Sequence, residues 1–238
     1  MSDTYFVDAL RDQGYHIFLD QGLGNRINII MFLAKYKLPF YWHCDNNISE
    51  SYKGVFDFDN VDISITDQEP LFVINMEQFP GTWPTVKIPS DEMNWRNKWF
   101  TAPVDFDVVM KVKPGELVKP LLIDLPENTI GYSVRRHYSD KKTKPVYDIP
   151  DNSFLTTDCP VQREQSQNTI QLHSGASFER FCDDKQETIT VTSSLIRAAA
   201  DWFQLMRCKE IICLGHGSTY AEALAIYKYF TNGKRLQA

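Results

Sequence analysis

The sequence predicts an α/β protein of two halves, each a parallel sheet covered by helices. Three observations carry this expectation. Short apolar strands alternate with amphipathic helices, several strands run directly into glycine or arginine turns, and Val112–Pro120, rich in Pro and Gly, punctuates the middle of the 238 residues. Alternation of this kind calls for parallel strands joined by helical crossovers. The expected units are an N-terminal domain, residues 1–118, and a C-terminal one, residues 119–238, facing each other across a cleft.

The elements follow in chain order. A strand at His16–Asp20 leads through Gly22-Leu23-Gly24-Asn25-Arg26 into a helix over Asn25–Lys37, and a second strand covers Pro39–His43. Apolar runs at Val61–Ile65, Leu71–Asn75 and Asp105–Val112 come next. Between the last two lies Phe79–Phe100, whose three prolines and three tryptophans resist a long helix and predict a loop-rich excursion. Its tryptophans either line an acceptor groove or pin the loop to the core. In the second half the expected strands are Thr129–Val134, Ser153–Thr157, Thr169–Leu172 and Glu210–Leu214. Helices are expected at Pro160–Gln167, Ser194–Arg207 and from Gly217 to Phe230. Leu195, Ala199, Trp202 and Met206 share one helical face, as do Tyr220, Ala223, Leu224 and Tyr227.

Bulk composition narrows the function. Hydrophobic residues at 43% with 24% charged suffice for a buried core. Residues 1–119 hold 11 Lys+Arg against 17 Asp+Glu, and residues 120–238 hold 14 of each, so the net −6 lies in the first half. That disfavours nucleic acid, whose backbone asks for surplus cations, and assigns anion binding to the second half. The start, Met1-Ser2-Asp3-Thr4, has no secretory pattern, and the longest apolar run, Ile27–Ala34, is too short to span a bilayer. Five cysteines without metal-type spacing read as reduced thiols, most simply small core residues, so the expected location is cytoplasmic.

Four stretches carry candidate chemistry. Gly22-x-Gly24 resembles the opening of a dinucleotide fingerprint, with Asp45 placed for a ribose hydroxyl, but Ile27 occupies the third glycine position and no GK[ST] follows. A ligand-free glycine turn is the other reading. The strand ending Ser133-Val134-Arg135-Arg136, with Lys141, Lys142 and Lys144 behind it, sets paired guanidiniums where an open α/β sheet gathers ligands. Their planar donor forks match diphosphate oxygens, though a solvated basic loop would look the same. Ser218 and Thr219 follow the Gly215-His216-Gly217 turn at a helix start, suited to an anion or to plain capping, and His216 is expected to be only a turn residue. Asp158 ends another strand. Asp201 lies inside a helix among alanines and aromatics, where a carboxylate needs a partner: a ligand group or a nearby Arg.

In this order the segments resemble the GDP-fucose-using glycosyltransferases: the α1,2-, α1,6-, protein O- and nodulation fucosyltransferases. The resemblance rests on Gly22-Leu23-Gly24-Asn25-Arg26, Ser133-Val134-Arg135-Arg136, Thr157-Asp158-Cys159-Pro160, and Asp201 followed by Gly217-Ser218-Thr219-Tyr220, and runs from about residue 16 to 229. It implies two facing Rossmann-like domains, a GT-B-like architecture, with no divalent metal and no other cofactor. It implies an inverting transfer of L-fucose from GDP-fucose to a glycan hydroxyl. Arg135 would neutralise the diphosphate with support from Arg136, Gly22, Gly24, Asn25 and Arg26 would meet the donor from the opposite domain, Asp158 would face the same cleft, Asp201 would bind guanine or order its pocket, and Ser218 with Thr219 would hold phosphate. Two positions depart from the pattern: Ser133 stands for a histidine and Cys159 for a second acid. Asp140 leads as general base, ahead of Asp20 and Asp148. The alternatives are a non-catalytic nucleotide-sugar or glycan binder, and an NAD(P)-binding oxidoreductase. The family's Golgi members carry a membrane anchor, and its absence points to a bacterial, phage or large-virus enzyme.

Overall fold

The computed structural model of the chain describes residues 17–19, 23–24, 26–27, 30, 39–44, 51–66, 110–135, 147–157, 159–172, 195–215, 221, 224–225 and 228. These form a mixed α/β structure with two parallel sheets. In the first sheet β1 (Ile17–Leu19) pairs with β2 (Pro39–Trp42), which pairs with β4 (Ser64–Ile65), in the order β1-β2-β4. The register sets Ile17 beside Phe40 and Leu19 beside Trp42.

Between β1 and β2 the described residues Leu23, Gly24, Arg26, Ile27 and Ile30 are helical. The helix therefore starts at or before Leu23, earlier than the Asn25 expected from the glycine turn. Leu23, Ile27 and Ile30, at i, i+4 and i+7, all bury their side chains in the core, so Leu23 is already an anchor of the apolar stripe.

Val112–Pro120 is no loose tether. Within it β5 (Lys113–Pro114) pairs antiparallel with β3 (Phe56–Asp57), and Gly115 N–H donates to the Val55 carbonyl at 2.8 Å. A Cβ at Gly115 would stand 2.3 Å from the Gly54 carbonyl oxygen, so this approach requires glycine. Val112 and Val118 are buried, and a single 3-10 turn, Lys119–Leu121, ends the segment. The Pro and Gly that mark a boundary in the sequence here shape a packed turn. Of the apolar runs around it, Val61–Ile65 pairs only over Ser64–Ile65, and the end of Asp105–Val112 is helical at Met110 and Lys111. Leu71–Asn75 and Phe79–Phe100 lie outside the described residues.

The second sheet is built around β6 (Ile130–Arg135), with β7 (Phe154–Thr157) on one side and β8 (Glu210–Gly215) on the other, all parallel. The expected strand Thr169–Leu172 shrinks to a single parallel bridge between Ile170 and Phe154. Chain order thus steps outward from β6 to β7 and Ile170, then returns across β6 to β8. Helix α1 (Pro160–Gln165) follows β7, and α2 (Leu195–Arg207) precedes β8. The end of the chain is helical at Ala221, Leu224, Ala225 and Lys228.

The middle of helix α2 is buried all round. Ala199 through Leu205 are seven consecutive buried residues, and at 3.6 residues per turn they span nearly two full turns. On one side Leu205 and Cys208 close over Gly131 of β6, where a Cβ would stand 2.9 Å from Leu205 Cδ2 and 3.0 Å from Cys208 Sγ. On the other, Phe203 meets Phe56 of β3 at 5.7 Å between ring centroids, and Phe56 meets Trp42 of β2 at 6.1 Å. One apolar core therefore contains residues from both sides of position 118. A second, smaller cluster of Tyr132, Val134, Ile149 and Leu155 covers the opposite face of the second sheet.

Two buried glutamines hold extended segments to the helices. Gln204 of α2 accepts from Ile123 N–H at 3.1 Å and donates to the Ile123 carbonyl at 2.9 Å, with Arg207 Nη1 donating to the same carbonyl at 2.8 Å. Gln162 of α1 treats Tyr147 in the same way, at 2.7 and 2.8 Å.

Candidate functional site

The carboxyl ends of β6, β7 and β8 lie level. Val134 registers with Thr157 and with Leu214, and Arg135 with Gly215. The chain leaves β6 toward one side and comes back on the other, so the strand order reverses at Arg135. In open parallel sheets the crevice at such a reversal is where ligands bind, because the loops on either side diverge and leave the strand end uncovered.

The ends of β7 and β8 have local chemistry suited to a turn of the chain. Gly215 adopts φ 87°, a left-handed conformation that favours glycine, and so allows the turn after β8. After β7, Cys159 N–H donates to Thr157 Oγ1 at 3.1 Å, a hydroxyl turn that leads into α1. Cys159 stands at the N-cap of α1 and is buried, as are Cys208 and Cys213, while Cys44 after β2 is exposed. Ser133, the other departure from the fucosyltransferase pattern, is buried within β6.

Of the residues expected at the site, Arg135 is placed as the last residue of β6. Gly24 is helical and buried. Arg26 is fully buried: its Nη1 donates to the His43 carbonyl at 2.6 Å, and its guanidinium lies 4.6 Å from the centre of the Trp42 ring. The side chain thus fastens the first helix to the end of β2 through a charge-assisted hydrogen bond and a cation–π contact. Gly22, Asn25, Arg136, Asp140, Asp158, Ser218 and Thr219, together with Asp20, lie outside the described residues; Asp148 is described and exposed.

Asp201 is 4% exposed and sits against β7, where Thr156 Oγ1 donates to its Oδ2 at 3.3 Å, with Arg163 of α1 the cation that acts on it. The nearby Arg foreseen for a buried carboxylate is present. Burial pushes the Asp201 carboxyl up to about 7, against the opposing pull of Arg163 and the Thr156 hydrogen bond. The native chain therefore keeps a proton that the unfolded chain loses near pH 4. Stability from this group falls as pH climbs from about 4 to about 7 and is level above that. Between pH 5 and 8 the loss should be about 2–3 kcal/mol, and Asp201→Asn should flatten it. Urea titrations of both proteins across that range check this; parallel pH profiles would refute it.

Sequence reasoning did not single out Tyr147, Gln162 or His43. Tyr147 closes the segment that leaves Arg135, and His43 follows β2 with its ring 6.4 Å from that of Tyr41. The strand-end position of His43 was a readable signal. The pairing of Gln162 with Tyr147, 15 residues apart, was not.

Fold and site together define a mixed α/β protein with parallel sheets and a strand-order reversal at an arginine. No protein-family model matches the chain, and no curated protein matches it. Among the described residues no helix is long and apolar enough to cross a membrane, and no group of three or more His, Cys, Asp or Glu is arranged to hold a metal ion.

Proposed function

We propose that the chain is an inverting, metal-independent glycosyltransferase that moves L-fucose from GDP-fucose to a glycan hydroxyl, on two facing Rossmann-like halves. The observation that carries this reading is Arg135 at the carboxyl end of β6, where the strand order reverses. Breaking a sugar–phosphate bond leaves a diphosphate anion and an oxocarbenium-like carbon. A guanidinium whose backbone is held by a strand stabilises that anion without having to reorganise. Arg136 and the lysines behind it add charge, Ser218 and Thr219 take phosphate at the helix start after β8, and Asp140 removes the acceptor proton. A single displacement inverts the anomeric carbon. Asp201, beneath β7, orders the wall of the pocket through Thr156 instead of touching the base.

Ile27 supports this reading over a dinucleotide oxidoreductase. Its side chain is buried in the helix–sheet core, the space that the third glycine of a dinucleotide fingerprint keeps empty. Thermal shifts with GDP, UDP, NAD and NADP test the choice, since a ligand at 100 times its Kd adds about 2.7 kcal/mol of stability. Stabilisation by NAD alone would overturn it. GDP release from GDP-fucose, with and without glycan acceptors, then separates a transferase from a binder. Turnover should survive EDTA; loss on chelation with recovery on adding Mn²⁺ would refute the metal-independent mechanism.

A further inference from the structure

Tyr147 is an aromatic residue left 38% exposed beside the strand ends, although its backbone is firmly held. Its N–H donates to Gln162 Oε1 at 2.7 Å and its carbonyl accepts from Gln162 Nε2 at 2.8 Å. Gln162 itself is fully buried and also donates to Ser166 Oγ at 2.9 Å, so its amide cannot swing away. Two residues further on, Ile149 is packed against Tyr132, Val134 and Leu155. The ring is therefore carried on an immobilised piece of backbone.

Its position follows from the topology. Helix α1 starts three positions after β7 ends, and Gln162 is its third residue, so the clamp lies in the first turn of the helix that leaves this edge. β7 neighbours β6 with Val134 level with Thr157, so the start of α1 and the end of β6 at Arg135 belong to the same edge of the sheet. Val161, the residue before Gln162, is 42% exposed and adds apolar surface to the same turn of α1. Charge for phosphates at the end of β6 and an exposed aromatic residue held at the neighbouring strand's side of the same edge match the two ends of a nucleotide.

We infer that Tyr147 is the stacking platform for the nucleobase of the donor, an inference that rests on the nucleotide-sugar reading above. Gln162 is the positioning residue that holds the platform in place. Because Gln162 takes the main-chain N–H of Tyr147 and one lone pair of its carbonyl, what the residue offers the base is its ring face. Tyr147 therefore contributes affinity to any base, and does not by itself tell guanine from uracil. Stacking of a base on an aromatic side chain typically accounts for a 5- to 150-fold difference in affinity, about what 1–3 kcal/mol gives.

The test is calorimetric titration of wild type, Tyr147→Phe and Tyr147→Ala with GDP, UDP and inorganic pyrophosphate. Tyr147→Ala should weaken GDP and UDP roughly 5- to 150-fold and leave pyrophosphate unchanged, whereas Tyr147→Phe should keep wild-type affinity for all three. Unchanged GDP affinity in Tyr147→Ala would overturn the inference while leaving the nucleotide-sugar reading in place. Equal losses for GDP and pyrophosphate would also overturn it, because they would mark a general disturbance of the edge. If wild type binds pyrophosphate but neither nucleotide, or binds none of the three, the nucleotide-sugar reading fails and the platform with it.

Discussion

Arg135→Ala should lower turnover by roughly 10²–10³, the usual cost of about 2.7–4 kcal/mol for removing one charge contact made to a transition state. Arg135→Lys should lose nearly as much, since a lysine keeps the charge but not the planar fork of donors that grips two phosphate oxygens. Both variants should fold normally, because Arg135 is the last residue of β6 and its register partner is the glycine that ends β8. Arg136→Ala should cost less. Donor turnover measured beside far-UV circular dichroism settles the matter. Near-normal activity in Arg135→Ala with unchanged ellipticity would remove the diphosphate from the end of β6, and the proposed mechanism with it.

Phe203→Ala should destabilise the whole chain by about 3–5 kcal/mol, the range for truncating a buried aromatic. Phe203 is buried between Trp202, at 5.2 Å between ring centroids, and Phe56 of β3, at 5.7 Å. The truncation opens a void between the two halves of the structure, so their unfolding should shift together. At 2–4 °C per kcal/mol for a chain of this size, a fall of roughly 10 °C in a single cooperative transition is expected. Two separate transitions in a calorimetric scan, only one of them displaced, would show that the core around Phe203 does not couple the halves.

Much of the second sheet was legible because each strand is a short apolar run between turn residues. The expected Ser153–Thr157 and Glu210–Leu214 match β7 and β8 to within a residue, and Ser194–Arg207 matches α2. Thr169–Leu172 misleads for a tertiary reason: only Ile170 finds a partner, at the far side of β7. The antiparallel pair of β3 and β5 was illegible, since its partners are two residues each and lie more than 50 positions apart. The face of α2 was read only in part. Periodicity finds Leu195, Ala199, Trp202 and Met206, but a helix whose middle has protein on every side also buries Asp201 and Gln204, which no amphipathic pattern would mark. At the site, the strand end at Arg135 was legible from composition alone, whereas the inward turn of Arg26 onto Trp42 depends on where β2 ends.

The two glutamine clamps have a consequence for how β6 is threaded. Ile123 lies upstream of that strand and Tyr147 downstream, and each is tied through both of its main-chain groups to a different helix. A one-residue slip of a strand sends every side chain to the opposite face. In β6 such a slip would bring Ile130 or Tyr132 beneath Leu205 and Cys208, where even the Cβ of an alanine would crowd Leu205. Ile123 stands only seven positions before β6 begins, so its clamp limits how far the strand can shift, and the packing at Gly131 then selects the register.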